Sequence, residues 1–165
     1  MPRYIRQRDG HSCGPHCCMN ILKFQGEQVT QRGDLAAWKD MLNCGITYSS
    51  NHYNRKDWRR GKTGTSIGRF NRVIKELGGK RFLAPNMRKM HRKLEQGFAL
   101  AVQVRYTSIH GHLFLITKTR KNAFYCVNLF QGVTASWVSK KKFYRTQRKH
   151  TSQFRCWAVP DTLCL

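Results

Sequence analysis

Acidic residues are scarce in this chain of 165 residues: 8 Asp and Glu face 31 Lys and Arg, for a formal charge of +23. From Gln96 to Pro160 there is no Asp or Glu at all, so a catalytic group in that stretch cannot take a neighbouring carboxylate as its partner. Long apolar runs are also missing. None approaches the roughly 20 residues that cross a bilayer, and Met1-Pro2-Arg3-Tyr4-Ile5-Arg6 lacks the apolar core of a secretory signal. The 7 cysteines are odd in number, Cys17 and Cys18 adjoin, and no regular spacing suggests a disulfide framework. A soluble protein of a reducing, cytoplasmic compartment is expected, with no membrane partner. Repeats and low-complexity segments are absent as well.

With 40% hydrophobic residues and 12% aromatics, residues 1–165 can build one compact domain with a real core. Residues 13–24 place Cys17, Ile21 and Phe24 at helical spacing, with Ser12 as N-cap and Gly26 closing the helix. A second helix is expected at 34–42, with Leu35, Trp38 and Leu42 on one face. Residues 46–64 read as a polar, basic loop. A third helix begins near Ser66 and stops before Gly78-Gly79, striped by Ile67, Phe70, Ile74 and Leu77, and a short basic helix follows at 87–96. Strand patterns then occupy 98–106, 112–118, 124–129, 134–138 and 154–159, with a basic stretch at 140–150 before the last. Helices first and strands later give an α+β domain with an antiparallel sheet.

Cys13 opens the first helix, where the partial positive charge and open N–H groups of the helix end favour thiolate, the attacking species. A nucleophilic thiolate needs an imidazole, and the imidazole needs a third group to orient it. His112 starts an apolar strand directly after Gly111, at a sheet end; His110, two residues earlier, is the competitor. Asn128 ends the run 124–127, where an adjacent antiparallel strand would bring its amide oxygen to the His112 N–H. Gln7, six residues before Cys13, can aim its NH2 at an oxyanion beside the Cys13 backbone N–H. These residues together make a Cys-His-Asn triad with an oxyanion hole.

The same residues admit plainer readings. A cysteine at a helix start is more often a small buried residue. A zinc site from His11, Cys13, His16 and Cys17 would crowd its ligands into one turn without a second pair, so neither metal nor cofactor is expected. The clusters Arg55-Lys56 with Arg59-Arg60, Arg88-Lys89 with Arg92-Lys93, and Lys140-Lys141-Lys142 through Arg145, Arg148 and Lys149 can be solvated faces. Tyr53, Trp58, Phe143 and Tyr144 interleave with them, a composition that suits phosphate contacts and base stacking. DNA or RNA bound through Arg59, Arg60, Lys140, Lys141, Lys142, Arg145, Arg148 and Lys149 is therefore the second function class, on a peptidase-like scaffold with weak or no catalysis.

In its motifs the chain resembles papain-like cysteine peptidases, and most closely the double-glycine peptidases that trim bacteriocin leader peptides. The pattern of that family is similar to Gln7, Cys13-Gly14, Cys17, and Phe24 with Gly26, then Gly64-Thr65-Ser66 ahead of a helix ending in Leu77-Gly78, then His112 and, sixteen positions on, Asn128. The family has Asp-Pro where this chain has Asn128-Leu129, and its transporter segment has no counterpart here. The resemblance implies a papain-like fold, with an N-terminal helical part carrying Cys13 packed on a C-terminal antiparallel sheet. It also implies thiol-dependent hydrolysis of peptide bonds after small residues such as Gly-Gly. A compact basic peptidase of this kind suits a virus or phage, in which it would be virion-associated.

Overall fold

The computed structural model describes residues 2–8, 12–42, 44, 65, 67–82, 85–105, 111–130, 132–150 and 154–162. Among the described residues three helices come first: α1 (Cys13–Phe24), α2 (Gln31–Met41) and α3 (Ile67–Glu76). They are followed by β1 (Lys80–Phe82), α4 (Met87–Glu95), β2 (Ala99–Arg105), β3 (Gly111–Arg120), β4 (Ala123–Val127), β5 (Ala135–Ser139), α5 (Lys140–His150) and β6 (Phe154–Val159). The strands form one six-stranded sheet in the order β1-β6-β2-β3-β4-β5, every pair antiparallel.

Both faces of this sheet are covered, so its central strands are apolar on both sides rather than alternating with polar residues. In β2, Ala99 and Ala101 face one core, with α1 and α3, while Leu100, Val102 and Val104 face the other, with α4 and α5. α1 is buried from Gly14 through Ile21 because α2 packs on its outer side. A helix wrapped in this way tolerates apolar residues all round. On the opposite face, Phe143 of α5 meets Phe114 and Phe124 edge-on, with ring centroids 6.0 and 5.5 Å apart. Each such buried ring contributes about 1.5–3 kcal/mol of transfer free energy.

Three elements differ from the sequence expectation. α2 starts at Gln31, three residues before the expected 34, because Thr30 caps it: Thr30 Oγ1 accepts from the Gly33 N–H at 3.1 Å, and Asp34 accepts from the Thr30 N–H at 2.7 Å. The stretch 140–150 is helical, entered through Ser139, whose hydroxyl accepts the Lys142 N–H at 3.1 Å. β1 is a three-residue edge strand paired only with β6, too short to give a pattern. The expected basic loop at 46–64, with Arg59 and Arg60, lies outside the described residues.

Burial holds the core cysteines as thiols. Cys17, Cys18 and Cys156 are pushed up by desolvation, and Cys126 is pushed up to about 12 from an ordinary value of 9.0. A group whose folded pKa is raised stabilises the fold below its unfolded pKa and loses that contribution as pH climbs to the folded value. For Cys126, stability should thus fall between about pH 9 and 12 by about 1.4 kcal/mol per pH unit. Denaturation curves across that window should be flatter in pH for Cys126→Ala than for the wild type. Parallel curves would refute this assignment.

Candidate active site

Cys13 is the first residue of α1 and is half-buried, packed against the core that contains Leu113 of β3 and Val127 of β4. Ser12 does not cap the helix with its hydroxyl. Its Oγ lies 2.9 Å from His16 Nδ1, and its carbonyl accepts from the same nitrogen at 2.9 Å. His16 Nε2 in turn faces the Gln31 side-chain NH2 at 3.5 Å. His16 is a buried histidine engaged at both ring nitrogens in joining α1 to α2.

With Ser12 turned away, another residue serves the start of α1. Thr65 Oγ1 accepts the Gly14 N–H at 3.1 Å. The approach is so close that a Cβ on Gly14 would lie 2.1 Å from that oxygen, which leaves glycine as the residue that fits after Cys13. The pairing gives Gly-Thr-Ser a physical task that spacing alone does not assign.

His112 is the second residue of β3. Its Nε2 lies 2.6 Å from the main-chain oxygen of Asn128, and since a carbonyl only accepts, that nitrogen carries the proton. The neutral ring then has Nδ1 as its basic nitrogen. The imidazole also stacks on Phe114, with centroids 5.9 Å apart and planes 22° apart. By strand alternation His112 shares the Phe114 side of the sheet end, whereas Leu113 faces the core beneath α1.

Asn128 meets His112 differently from the sequence expectation. Its backbone carbonyl, not its side chain, accepts the imidazole N–H. The side-chain oxygen instead accepts the Gln7 N–H at 3.1 Å, and its NH2 donates to the Ile5 carbonyl at 2.9 Å. Asn128 has φ +57°, a left-handed conformation that asparagine adopts more readily than most residues, and this turn aims carbonyl and amide in different directions. Asn20 of α1 completes the clamp: Ile5 N–H donates to its side-chain oxygen at 2.7 Å, and its NH2 donates to the Ile5 carbonyl at 3.0 Å. Buried Asn20 escapes the sequence reading, although a polar residue on an otherwise apolar helix is the signal that could reveal it.

The structure therefore gathers Gln7, His112 and Asn128 by hydrogen bonds and places Cys13 on the adjoining core. His110 lies outside the described residues. Lys140, Lys141, Lys142 and Arg145 lie on α5, across the sheet from α1, and Arg148 and Lys149 belong to the last turns of that helix. Among the described residues no three His, Cys, Asp or Glu side chains gather as a metal ion would require, and no helix is long and apolar enough to cross a membrane. A cavity of about 620 Å³ at the β1–β6 edge, beside Trp157, includes none of the site residues.

No family model matches the sequence, and no curated protein matches it. Solved structures do share its fold. The peptidase domain of Streptococcus ComA, a bi-functional ABC transporter involved in a quorum-sensing pathway, superposes with a TM-score of 0.62 at 16% identity, over 96% of this chain and 99% of that one. A protein described as a C39-like peptidase, from Bacillus anthracis, gives 0.61 at 11% identity, over 96% and 94%. The chain has the papain-like peptidase fold that its motifs resemble, with mixed helices and an antiparallel sheet.

Proposed function

We propose that this chain is a cysteine peptidase in which Cys13 is the nucleophile and His112 the base. The observation that carries the reading is the carbonyl-bound His112, its tautomer fixed with Nδ1 basic, in a fold shared with peptidases whose helix here begins at a half-buried cysteine. For this chemistry the His112 ring, on the Phe114 side of β3, must meet Cys13 around the sheet end; there Nδ1 takes the Cys13 thiol proton, and the thiolate sulfur attacks the carbonyl carbon of the scissile peptide. The resulting oxyanion is met by the Cys13 backbone N–H and the Gln7 side-chain NH2. His112 passes its proton to the departing amine, and water, deprotonated by the same ring, then hydrolyses the thioester and regenerates the thiol. Asn128 serves twice: its carbonyl orients the imidazole, and its amide holds the segment that carries Gln7.

The substrate is a peptide or protein cut after small residues, the Gly-Gly preference that the resemblance implies. Cleavage of a peptide library tests it, and preferred sites that are bulky and basic would overturn it. The charge of +23 supports a second partner, DNA or RNA, bound apart from the peptide.

Selective alkylation tests the nucleophile. Five of the described cysteines are buried, and Cys13 is half-buried. At pH 7 a thiol held at about 12, as for Cys126, is thiolate in only about one molecule in 10⁵. Iodoacetamide should therefore label Cys13 at least about a hundredfold faster than Cys17, Cys18, Cys126 or Cys156. Uniform slow labelling of the native protein would remove Cys13 from this role.

A further inference from the structure

We infer that α4 and α5 together form a nucleic-acid-binding face on the side of the sheet opposite α1. The inference gives the nucleic-acid partner its surface and does not depend on Cys13 chemistry. Two basic segments far apart in sequence, around Arg92 and around Lys141, are joined here: Lys140 Nζ of α5 lies 2.9 Å from His91 Nδ1 of α4 and donates to the Lys121 carbonyl at 3.0 Å. Both helices pack their apolar residues, Met90, Leu94 and Phe143, into the same core. Their outer sides therefore look the same way.

Those outer sides are almost uniformly cationic. Arg88, Lys89 and Arg92 are exposed on α4, and Lys141, Lys142 and Arg145 are exposed on α5. The single acid of either helix, Glu95, is engaged by His91 at 3.2 Å. Neither helix has an acidic residue in its first turn, and Lys141, Lys142, Arg88 and Lys89 all fall at helix starts. A helix start carries partial positive charge, so these residues sit where they stabilise their own helices least. An external polyanion offsets that repulsion.

The kind of polyanion follows from what accompanies the charge. Tyr144 is the one large exposed aromatic on these two helices among the described residues, at 47%, and no large aliphatic residue is exposed there. A membrane-binding face would need apolar residues to insert. Cations spread over two helices beside an aromatic fit a phosphate backbone, with Tyr144 placed to stack on a base. With Glu95, engaged by His91, as the one carboxylate on these two helices, the face offers phosphate contacts and stacking, and the binding is sequence-nonspecific.

The test measures dissociation constants of the full chain for a labelled oligonucleotide, single-stranded and duplex, across a salt series. Removing one cation that pairs with a phosphate should flatten the log–log salt slope by about 0.9 on duplex, so K141A/K142A/R145A should bind about a hundredfold more weakly near 0.15 M salt. R88A/K89A/R92A should weaken binding by a similar factor, because both helices contribute. Tyr144→Ala should weaken single-stranded binding more than duplex binding. Iodoacetamide labelling of Cys13 should proceed at the wild-type rate in every variant, which shows that the fold is intact. Wild-type affinity in both triple variants, or a salt-independent affinity, would overturn the inference. So would displacement of the oligonucleotide by poly-glutamate at equal charge concentration, which would assign the face to an acidic protein.

Discussion

Cys13→Ala is expected to abolish peptide hydrolysis, lowering kcat by about 10⁴-fold or more while leaving thermal stability within about 1 kcal/mol of the wild type. The thiol makes the covalent intermediate, and no other described cysteine is both accessible and at the start of a helix. His112→Ala should cost a comparable factor in kcat/KM, and the double variant should be no worse than either single one, because the two groups act as a unit. His112→Ala should also slow the alkylation of Cys13 near neutral pH, since the ring that holds the thiol proton is gone. A binding protein on a peptidase scaffold behaves otherwise. It would show no turnover in the wild type, and Cys13→Ala would then change nothing measurable except the loss of the label.

Much of this architecture is legible in the sequence because the relevant signals are local. The α1 boundaries, Cys13 to Phe24, follow from apolar spacing between a serine and a glycine, and the stripe of Phe70 and Ile74 on α3, with Leu77 just past its end, is buried as its period requires. The covered central strands are legible as apolar runs. The basic stretch 140–150 is not, since a single large apolar anchor in its sequence, Phe143 beside Tyr144, among lysines and arginines gives a helix little apolar period. Its start signal, Ser139 three residues before Lys142, is present in the sequence. Edge strand β1 exists only because β6 offers it a partner more than seventy residues away, and nothing local encodes that.

The candidate site divides along the same line. Residue types and spacings point to Gln7, Cys13, His112 and Asn128, but a sequence does not say which atom of a residue does the bonding. The left-handed turn at Asn128, φ +57°, decides that the carbonyl goes to His112 and the amide to the N-terminal segment. Likewise Thr65 can be read as part of a motif, while its bond to the Gly14 N–H depends on an approach across 51 positions.

Substitutions at Asn128 should separate these two tasks. Asn128→Gly keeps the left-handed backbone at no steric cost and with it the carbonyl that accepts from His112 Nε2. It removes both side-chain bonds, so the acceptor for the Gln7 N–H and one of the donors to the Ile5 carbonyl disappear. Loss of the Asn128 acceptor for the part-buried Gln7 N–H costs about 1–3 kcal/mol, while the Ile5 carbonyl keeps its bond from the Asn20 NH2. The expected outcome is a loss of about 10–100-fold in kcat, from a Gln7 no longer held in place, with the acid limb of the pH profile of kcat/KM unmoved. Asn128→Ala should lose about 1 kcal/mol more stability than Asn128→Gly, because alanine resists positive φ, with the same pH profile. Asn128→Asp keeps an acceptor for the Gln7 N–H but turns an oxygen toward the Ile5 carbonyl, so it should be less stable than the wild type. If the side chain rather than the carbonyl oriented His112, Asn128→Gly would free the wrong tautomer. The rate would then fall by about 10⁴-fold and the acid limb would shift, and that pair of results would return the amide to the orienting role that residue type and spacing suggest.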